Sequence, residues 1–240
     1  MNTRMNRRIF ISLLLATSAF AQDKKVDPAF APVVDESGLP RVLIIGDSIS
    51  IGYTAGVRGL LAGKANVHRN AGNAESTVTG LAKLDAWLGS GKWDVIHFNW
   101  GLHDLKQYKD GKLTPGQPVW VELADYEKNL AKLVERLKAT GAKLIFANTT
   151  PVPEGANGRV PGLEVRYNEA AARVMAAAAV PINDLHALCL PNLAAWQNPR
   201  DVHFKPAGCA KQAEKVAAEI IAALPVKAKE RLKKSATPVK

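Results

Sequence analysis

Arg41-Val42-Leu43-Ile44-Ile45-Gly46-Asp47-Ser48 is the stretch on which the fold turns. Its apolar run Val42-Leu43-Ile44-Ile45 has strand length and no polar alternation, so it reads as a strand buried on both faces, the habit of parallel sheets covered by helices. Gly46 and Asp47 then turn the chain and deliver Ser48 to the carboxyl end of that strand. Open α/β sheets bind their ligands beyond this end. A helix expected to start near Ser50 to Tyr53 aims its first N–H groups and positive dipole end at any anion forming there.

Working outward, further strands are expected at Asn66 to Asn70, Trp93 to Asn99, Lys143 to Asn148 and Val180 to Asn183. Helical segments separate them: one carries Val57, Leu60 and Leu61, another Leu81, Leu84 and Leu88, and a third runs from Glu122 to Thr140. In the third, Leu123, Tyr126, Leu130, Leu133, Val134 and Leu137 recur at helical spacing, and Gly141 stands where a helix stops. Strand and helix thus alternate as in a mostly parallel sheet layered between helices. One connection is long: Leu105 to Val121 holds Gly111, Pro115, Gly116 and Pro118 with Tyr108 and Trp120. It follows a strand end, which marks it as a substrate-side flap whose aromatics either stack on a sugar or acyl group or anchor the loop.

The termini frame a single domain at 41–224. Arg4, Arg7 and Arg8 precede the apolar stretch Ile9 to Phe20 and an Ala19-Phe20-Ala21 cleavage pattern, so residues 1–21 read as a removable export signal of ordinary or twin-arginine type. The protein is therefore expected outside the cytoplasm, periplasmic or secreted, with no stable membrane insertion. Residues 22–40, with Pro28, Pro32, Gly38 and Pro40, read as a linker wrapping onto the domain, and 225–240 as a basic tail. The net charge of +10 owes much to the leader and this tail, and no nucleic-acid motif accompanies it. In an oxidising compartment Cys189 and Cys209 are compatible with a disulfide or with two separate thiols.

Three further segments lie where an acyl-transfer site needs them. Asn70-Ala71-Gly72-Asn73-Ala74-Glu75-Ser76-Thr77 is a polar turn entering a helix, a source of backbone donors. Gly101-Leu102-His103-Asp104 follows the third strand, and Asp201-Val202-His203-Phe204 precedes the last helix. Nucleophile, base and oxyanion donors would converge from separate segments on one carbonyl. With Gly46-Asp47-Ser48, Gly101-x-x-Asp104 and His203 in this order from Arg41 to about Leu224, the chain resembles the SGNH (GDSL-type) hydrolase superfamily. That resemblance implies a flavodoxin-like three-layer α/β/α sandwich with a five-stranded, mostly parallel sheet, and hydrolysis of carboxylic esters with no metal or organic cofactor. Ser48, His203 and Asp201 would form the catalytic triad, and the Ser48 and Glu75 N–H groups with the His103 side chain the oxyanion hole.

Three departures from the family pattern stand out. His103 replaces the usual asparagine, Glu75 the usual oxyanion glycine, and Arg200 the usual acid three residues before the histidine, leaving Asp201 two before it. Gly72 is an alternative donor and Asp184 a reserve acid. Trp100, Tyr108 and Trp120 are candidates for substrate binding. Asn99 either points into the site or satisfies the neighbouring loop, and Asp47 and Asp104 are expected to tie loops through backbone N–H groups. His68, His186 and the cysteines lack metal-site spacing. The resulting expectation is an exported serine esterase acting on small-molecule or polysaccharide esters, short-chain O-acetyl esters in particular. The alternative is a catalytically weak relative that binds glycan or cell-envelope components. Oligomeric state is not legible.

Overall fold

The computed structural model describes residues 27–226. The expected export signal, the start of the linker and all but the first residues of the basic tail lie outside the described residues. The strands are β1 (Arg41–Ile45), β2 (Asn66–Arg69), β3 (Val95–Phe98), β4 (Tyr108–Lys109), β5 (Lys112–Leu113), β6 (Lys143–Ala147) and β7 (Ile182–Asn183). The helices are α1 (Ser48–Leu60), α2 (Thr77–Leu88), α3 (Leu123–Ala139), α4 (Leu163–Ala178), α5 (Leu185–Cys189), α6 (Leu193–Trp196) and α7 (Pro206–Ala223).

A five-stranded sheet runs in the order β2-β1-β3-β6-β7 with every pair parallel. Helices α1 and α7 pack together on one face, and α2, α3 and α4 pack in sequence on the other. This is the flavodoxin-like three-layer arrangement. Both central strands are shut off from solvent along their lengths, β1 through Val42 to Ile45 and β3 through Val95 to Phe98, as parallel strands between two helical layers must be. Strand β7 is shorter than the Val180 to Asn183 run suggests. Pro181 has no N–H to give to the ladder, and only its carbonyl is used, accepting from Phe146 N at 3.0 Å.

Helix α3 buries Tyr126, Leu130, Leu133, Val134 and Leu137. It stops at Thr140, and Gly141 follows at φ 75°, in the left-handed region where glycine carries no Cβ penalty. Helix α1 starts earlier than the sequence suggests, at Ser48, because the Asp47 carboxylate accepts from Ile49 N at 3.0 Å and caps it. The 105–121 flap is not structureless: β4 and β5 pair as a short antiparallel hairpin. At its base Trp120 N donates to Lys106 O at 2.8 Å, and Gln107 N to Gly158 O at 2.7 Å.

The expected linker is docked where it is described. A 3-10 turn at Pro28–Phe30 buries Ala29, and Arg58 donates to Pro28 O at 2.8 Å and Ala31 O at 3.2 Å. Asp35 pairs with both Arg41 and His68, at 2.7 and 2.6 Å. Cys189 and Cys209 are free thiols; Cys189 Sγ accepts from Gln212 at 3.4 Å instead of bonding to its counterpart. Among the described residues no helix is long and apolar enough to cross a membrane.

Candidate active site

The carboxyl ends of β1 and β3 are level, with Ile45 paired to Phe98, so the turns that follow them face each other at the point where the strand order reverses. Ser48 leaves the first turn as the opening residue of α1. Its N–H, first in the helix, has no intrahelical acceptor. The turn is stitched to the segment after β2: Gly46 N donates to Asn70 Oδ1 at 3.0 Å, and Ala74 N to Gly46 O at 3.0 Å. Arg69 adds bonds to Ser50 Oγ at 2.9 Å and to Gly46 O at 3.3 Å. Gly46 is required by close approach, since a Cβ there would lie 2.0 Å from Asn99 Oδ1. Asn99 neither braces a loop nor donates to one; its Oδ1 is buried without a partner among the described residues.

His203 Nε2 lies 2.9 Å from Ser48 Oγ, and His203 Nδ1 lies 2.7 Å from Asp201 Oδ1. An ionised carboxylate only accepts, so Nδ1 carries the proton and Nε2 offers a lone pair to the serine hydroxyl. The structure thus answers how an acid two residues before the histidine reaches it. Arg200 turns through φ 59°, and Asp201 Oδ1 accepts from both the His203 N–H, at 3.2 Å, and the ring. Burial alone would raise the Asp201 carboxyl, but these hydrogen bonds and the charge of His203 hold it below its ordinary value. Gln197 pins the loop beneath, donating to Pro151 O at 2.9 Å and Val202 O at 3.1 Å. Asp184 is not the partner; its carboxylate accepts from Ala187 N and Asn148 Nδ2, both at 2.8 Å, and caps α5.

The second segment departs from expectation. Glu75 sits at φ 51°, the backbone conformation that favours glycine, yet its N–H already donates to Asn73 Oδ1 at 2.8 Å. Its carboxylate accepts from Thr79 Oγ1 at 3.0 Å. The Glu75 amide is therefore not a free oxyanion donor as the chain stands. Gly72, at φ 67°, is exposed, its carbonyl bonded to Arg69 at 2.8 Å.

The third segment forms one helical turn, Leu105 N donating to Gly101 O at 3.0 Å. Asp104 is wholly buried and accepts from Thr77 N at 2.9 Å and Thr77 Oγ1 at 2.6 Å, tying the turn to the start of α2. Burial pushes its carboxyl up to about 7, against the lowering effect of those bonds. His103 is pulled down to about 4 by burial, which prevails over the opposing charge of the Asp47 carboxylate; Lys106 and Arg159 lower it further and Glu75 raises it. It is a neutral imidazole at neutral pH.

Trp100 is corrected from substrate residue to core. It has no exposed surface, donates from Nε1 to Ala74 O at 3.3 Å, and lies so close to α2 that a Cβ on Gly80 would meet its ring at 2.8 Å. Alternation along the strand end turns it inward, and its bulk fills the layer under α2. Tyr108 and Trp120 stack with centroids 5.2 Å apart, and the Lys106 ammonium lies 4.1 Å from each ring centre. The rings are thus engaged by the protein's own cation. Lys106 and Arg159, whose Nε donates to Leu102 O at 3.1 Å, were not legible as site residues. The signal for Lys106 was its place three residues after His103, which puts both on one face of a turn.

The GDSL-like Lipase/Acylhydrolase family model matches residues 44–211. No curated protein sequence matches the chain. Among solved structures, the lipase/acylhydrolase from Enterococcus faecalis is 19% identical with a TM-score of 0.63, covering 78% of this chain and 98% of its own. The acetyl xylan esterase AlAXEase is 16% identical at a TM-score of 0.62, covering 75% and 99%. The acetylxylan esterase Axe2 from Geobacillus stearothermophilus is 20% identical at 0.61, covering 75% and 94%. At these identities the likeness is one of fold, and the family rests on the sequence match across most of the domain. The chain belongs to the GDSL-like lipase/acylhydrolase family, a membership that supports a general serine-hydrolase type of chemistry.

Proposed function

We propose that the protein is an exported serine esterase that removes short-chain acyl groups, acetyl in particular, from carbohydrate or small-molecule esters. The observation that carries this reading is the unbroken line from Ser48 Oγ through His203 to Asp201, at 2.9 and 2.7 Å. In it Ser48 attacks the ester carbonyl while its proton passes to His203 Nε2. The imidazolium, stabilised by Asp201, then gives that proton to the leaving alcohol. Water activated by the same histidine attacks the acyl-serine and releases the acid. The Ser48 N–H and the His103 side chain hold the oxyanion. The acetylxylan specificity of two of the structures above supports an acetyl ester as first choice, and the leader at residues 1–21 supports a substrate outside the cytoplasm.

The test is hydrolysis of p-nitrophenyl acetate and of acetylated xylan by residues 22–240. Ser48→Ala and His203→Ala are expected to cost about 10⁴-fold or more in kcat, and Asp201→Asn about 10²- to 10⁴-fold because its carboxylate is half exposed. Turnover that survives Ser48→Ala would sink the acyl-serine reading, and long-chain esters turning over faster than acetate would sink the short-chain one. The occupied Glu75 amide favours a second reading, a weak relative that binds glycan. It requires wild type to bind acetylated oligosaccharide without turnover and Ser48→Ala to bind equally well.

A further inference from the structure

An asparagine side chain offers its N–H₂ whatever its surroundings, but a neutral histidine donates from only one of its two ring nitrogens. Replacing the family's asparagine by His103 therefore creates a requirement: something must decide which nitrogen carries the proton. Lys106 Nζ lies 3.4 Å from His103 Nδ1. An ammonium has protons to give and no lone pair, so a neutral His103 facing it must present the Nδ1 lone pair and keep its proton on Nε2. That Nε2 makes no hydrogen bond to any described residue, nor is it among the enclosed polar atoms left without a partner. It is an open donor.

The lysine is itself held in place. Its residue is only 8% exposed, and its ammonium lies 4.1 Å from the ring centres of both Tyr108 and Trp120. Trp120 N also closes on Lys106 O at 2.8 Å. Aromatic faces attract a cation without competing for its hydrogen bonds in fixed directions, which leaves an N–H free for the imidazole. The groups acting on His103 come from several elements: Asp47 at the head of α1, Glu75 before α2, Arg159 before α4, and Lys106 itself. Burial keeps the ring neutral beside the ammonium, so the lysine acts on a ring that has a tautomer to choose.

We propose that Lys106 is a positioning residue that locks neutral His103 in its Nε2–H tautomer, so that the ring presents a donor to the oxyanion formed at Ser48. The proposal rests on the esterase reading given above. It makes the two histidines of the site a matched pair under opposite control. The Asp201 carboxylate accepts a hydrogen bond from Nδ1–H of His203 and leaves its Nε2 as acceptor; the Lys106 ammonium donates a hydrogen bond to the bare Nδ1 of His103 and leaves its Nε2–H as donor. It also gives the flap aromatics a use that involves no substrate: they hold the lysine.

The experiment has a kinetic arm and a resting-state arm. Lys106→Met keeps an unbranched chain against the rings and removes the charge. It is expected to lower kcat on p-nitrophenyl acetate by about ten-fold or more, a share of the roughly 10²- to 10³-fold that a lost oxyanion donor costs, with KM little changed. In a His103→Asn background the same substitution is expected to change kcat by less than about two-fold, because an amide has no tautomer to set. Equal losses in both backgrounds, or no loss in a stably folded Lys106→Met protein, would overturn the proposal. In the resting arm, ¹⁵N NMR of the His103 ring in the wild-type protein is expected to show Nε2 protonated and Nδ1 bare; Nδ1–H would overturn it whatever the kinetics. This arm also decides the matter if Lys106→Met fails to fold. Absence of Ser48-dependent turnover in wild type would remove the esterase reading and the catalytic half of the proposal, while the tautomer result would still stand or fall separately.

Discussion

Gly101→Ala separates two reasons for a glycine at the head of the His103 turn. Gly101 sits at φ 143°, and a Cβ there would lie 2.2 Å from Thr149 Oγ1 and 3.5 Å from Thr149 Cβ. The backbone conformation costs a non-glycine residue about 1–3 kcal/mol. The overlap with Thr149 adds an overpacking cost of about 1–3 kcal/mol, because Thr149 has no room to retreat. Its N–H and carbonyl are both bonded to Asn168, at 2.8 and 2.9 Å, and it is 3% exposed. The single substitution should therefore cost about 2–6 kcal/mol. Thr149→Ala removes the offending oxygen and sacrifices no hydrogen bond, since Thr149 Oγ1 has no partner among the described residues; alone it should cost about 1 kcal/mol. The assay is equilibrium urea unfolding of both single mutants and the double, followed by tryptophan fluorescence and circular dichroism. The double mutant should be more stable than the summed singles predict by the overlap share, about 1–3 kcal/mol. Simple additivity would refute the claim that close approach to Thr149 requires the glycine, leaving only the backbone term.

Two further predictions concern stability. Asp104 is held at about 7 in the folded protein against 3.8 for the free group. The folded state therefore keeps a proton that the unfolded chain has released, and the group's contribution to stability, complete below pH 3.8, falls as pH rises toward 7. The ceiling on that loss is about 4 kcal/mol at about 1.4 kcal/mol per pH unit. Urea midpoints at pH 5 and pH 8 should thus differ less in Asp104→Asn than in wild type, and an unchanged difference would refute the assignment. Trp100→Ala should cost about 3–5 kcal/mol as a large core truncation. A raised KM in a Trp100 variant of wild-type stability would instead restore the ring to the substrate.

The framework was legible because its signals are local and redundant. Four unbroken apolar residues from Val42 to Ile45, the spacing of Tyr126, Leu130, Leu133 and Leu137, and Gly141 after them each point one way. Ser48, His203 and Asp201 were legible from motif order, although only the left-handed turn at Arg200 shows why the acid can stand one residue closer. What escaped the sequence depends on direction rather than type. Trp100 carries the same aromatic signal whether it faces solvent or α2, and the packing against Gly80 decides it. Glu75 reads as a broken glycine position, and nothing in its spacing says that Asn73 takes its N–H. Lys106 looks like any loop lysine until the flap folds back and brings Tyr108 and Trp120 together against its ammonium.

The docked segment ahead of β1 sets where this chain can be cut. A version trimmed to begin at Arg41 keeps every motif residue and loses Phe30, whose ring lies 4.7 Å from the Arg69 guanidinium. That guanidinium is the one bonded to Ser50 Oγ and Gly46 O, so the trim would wet the back of the turn that presents the serine. It would also strand Arg41 and His68 without Asp35, and uncover the surface of α1 on which Ala29 is buried. Fusion partners, affinity tags and engineered protease sites therefore belong ahead of Asp27, and a fragment chosen by motif alone would be a poorer esterase for reasons its active-site residues cannot reveal.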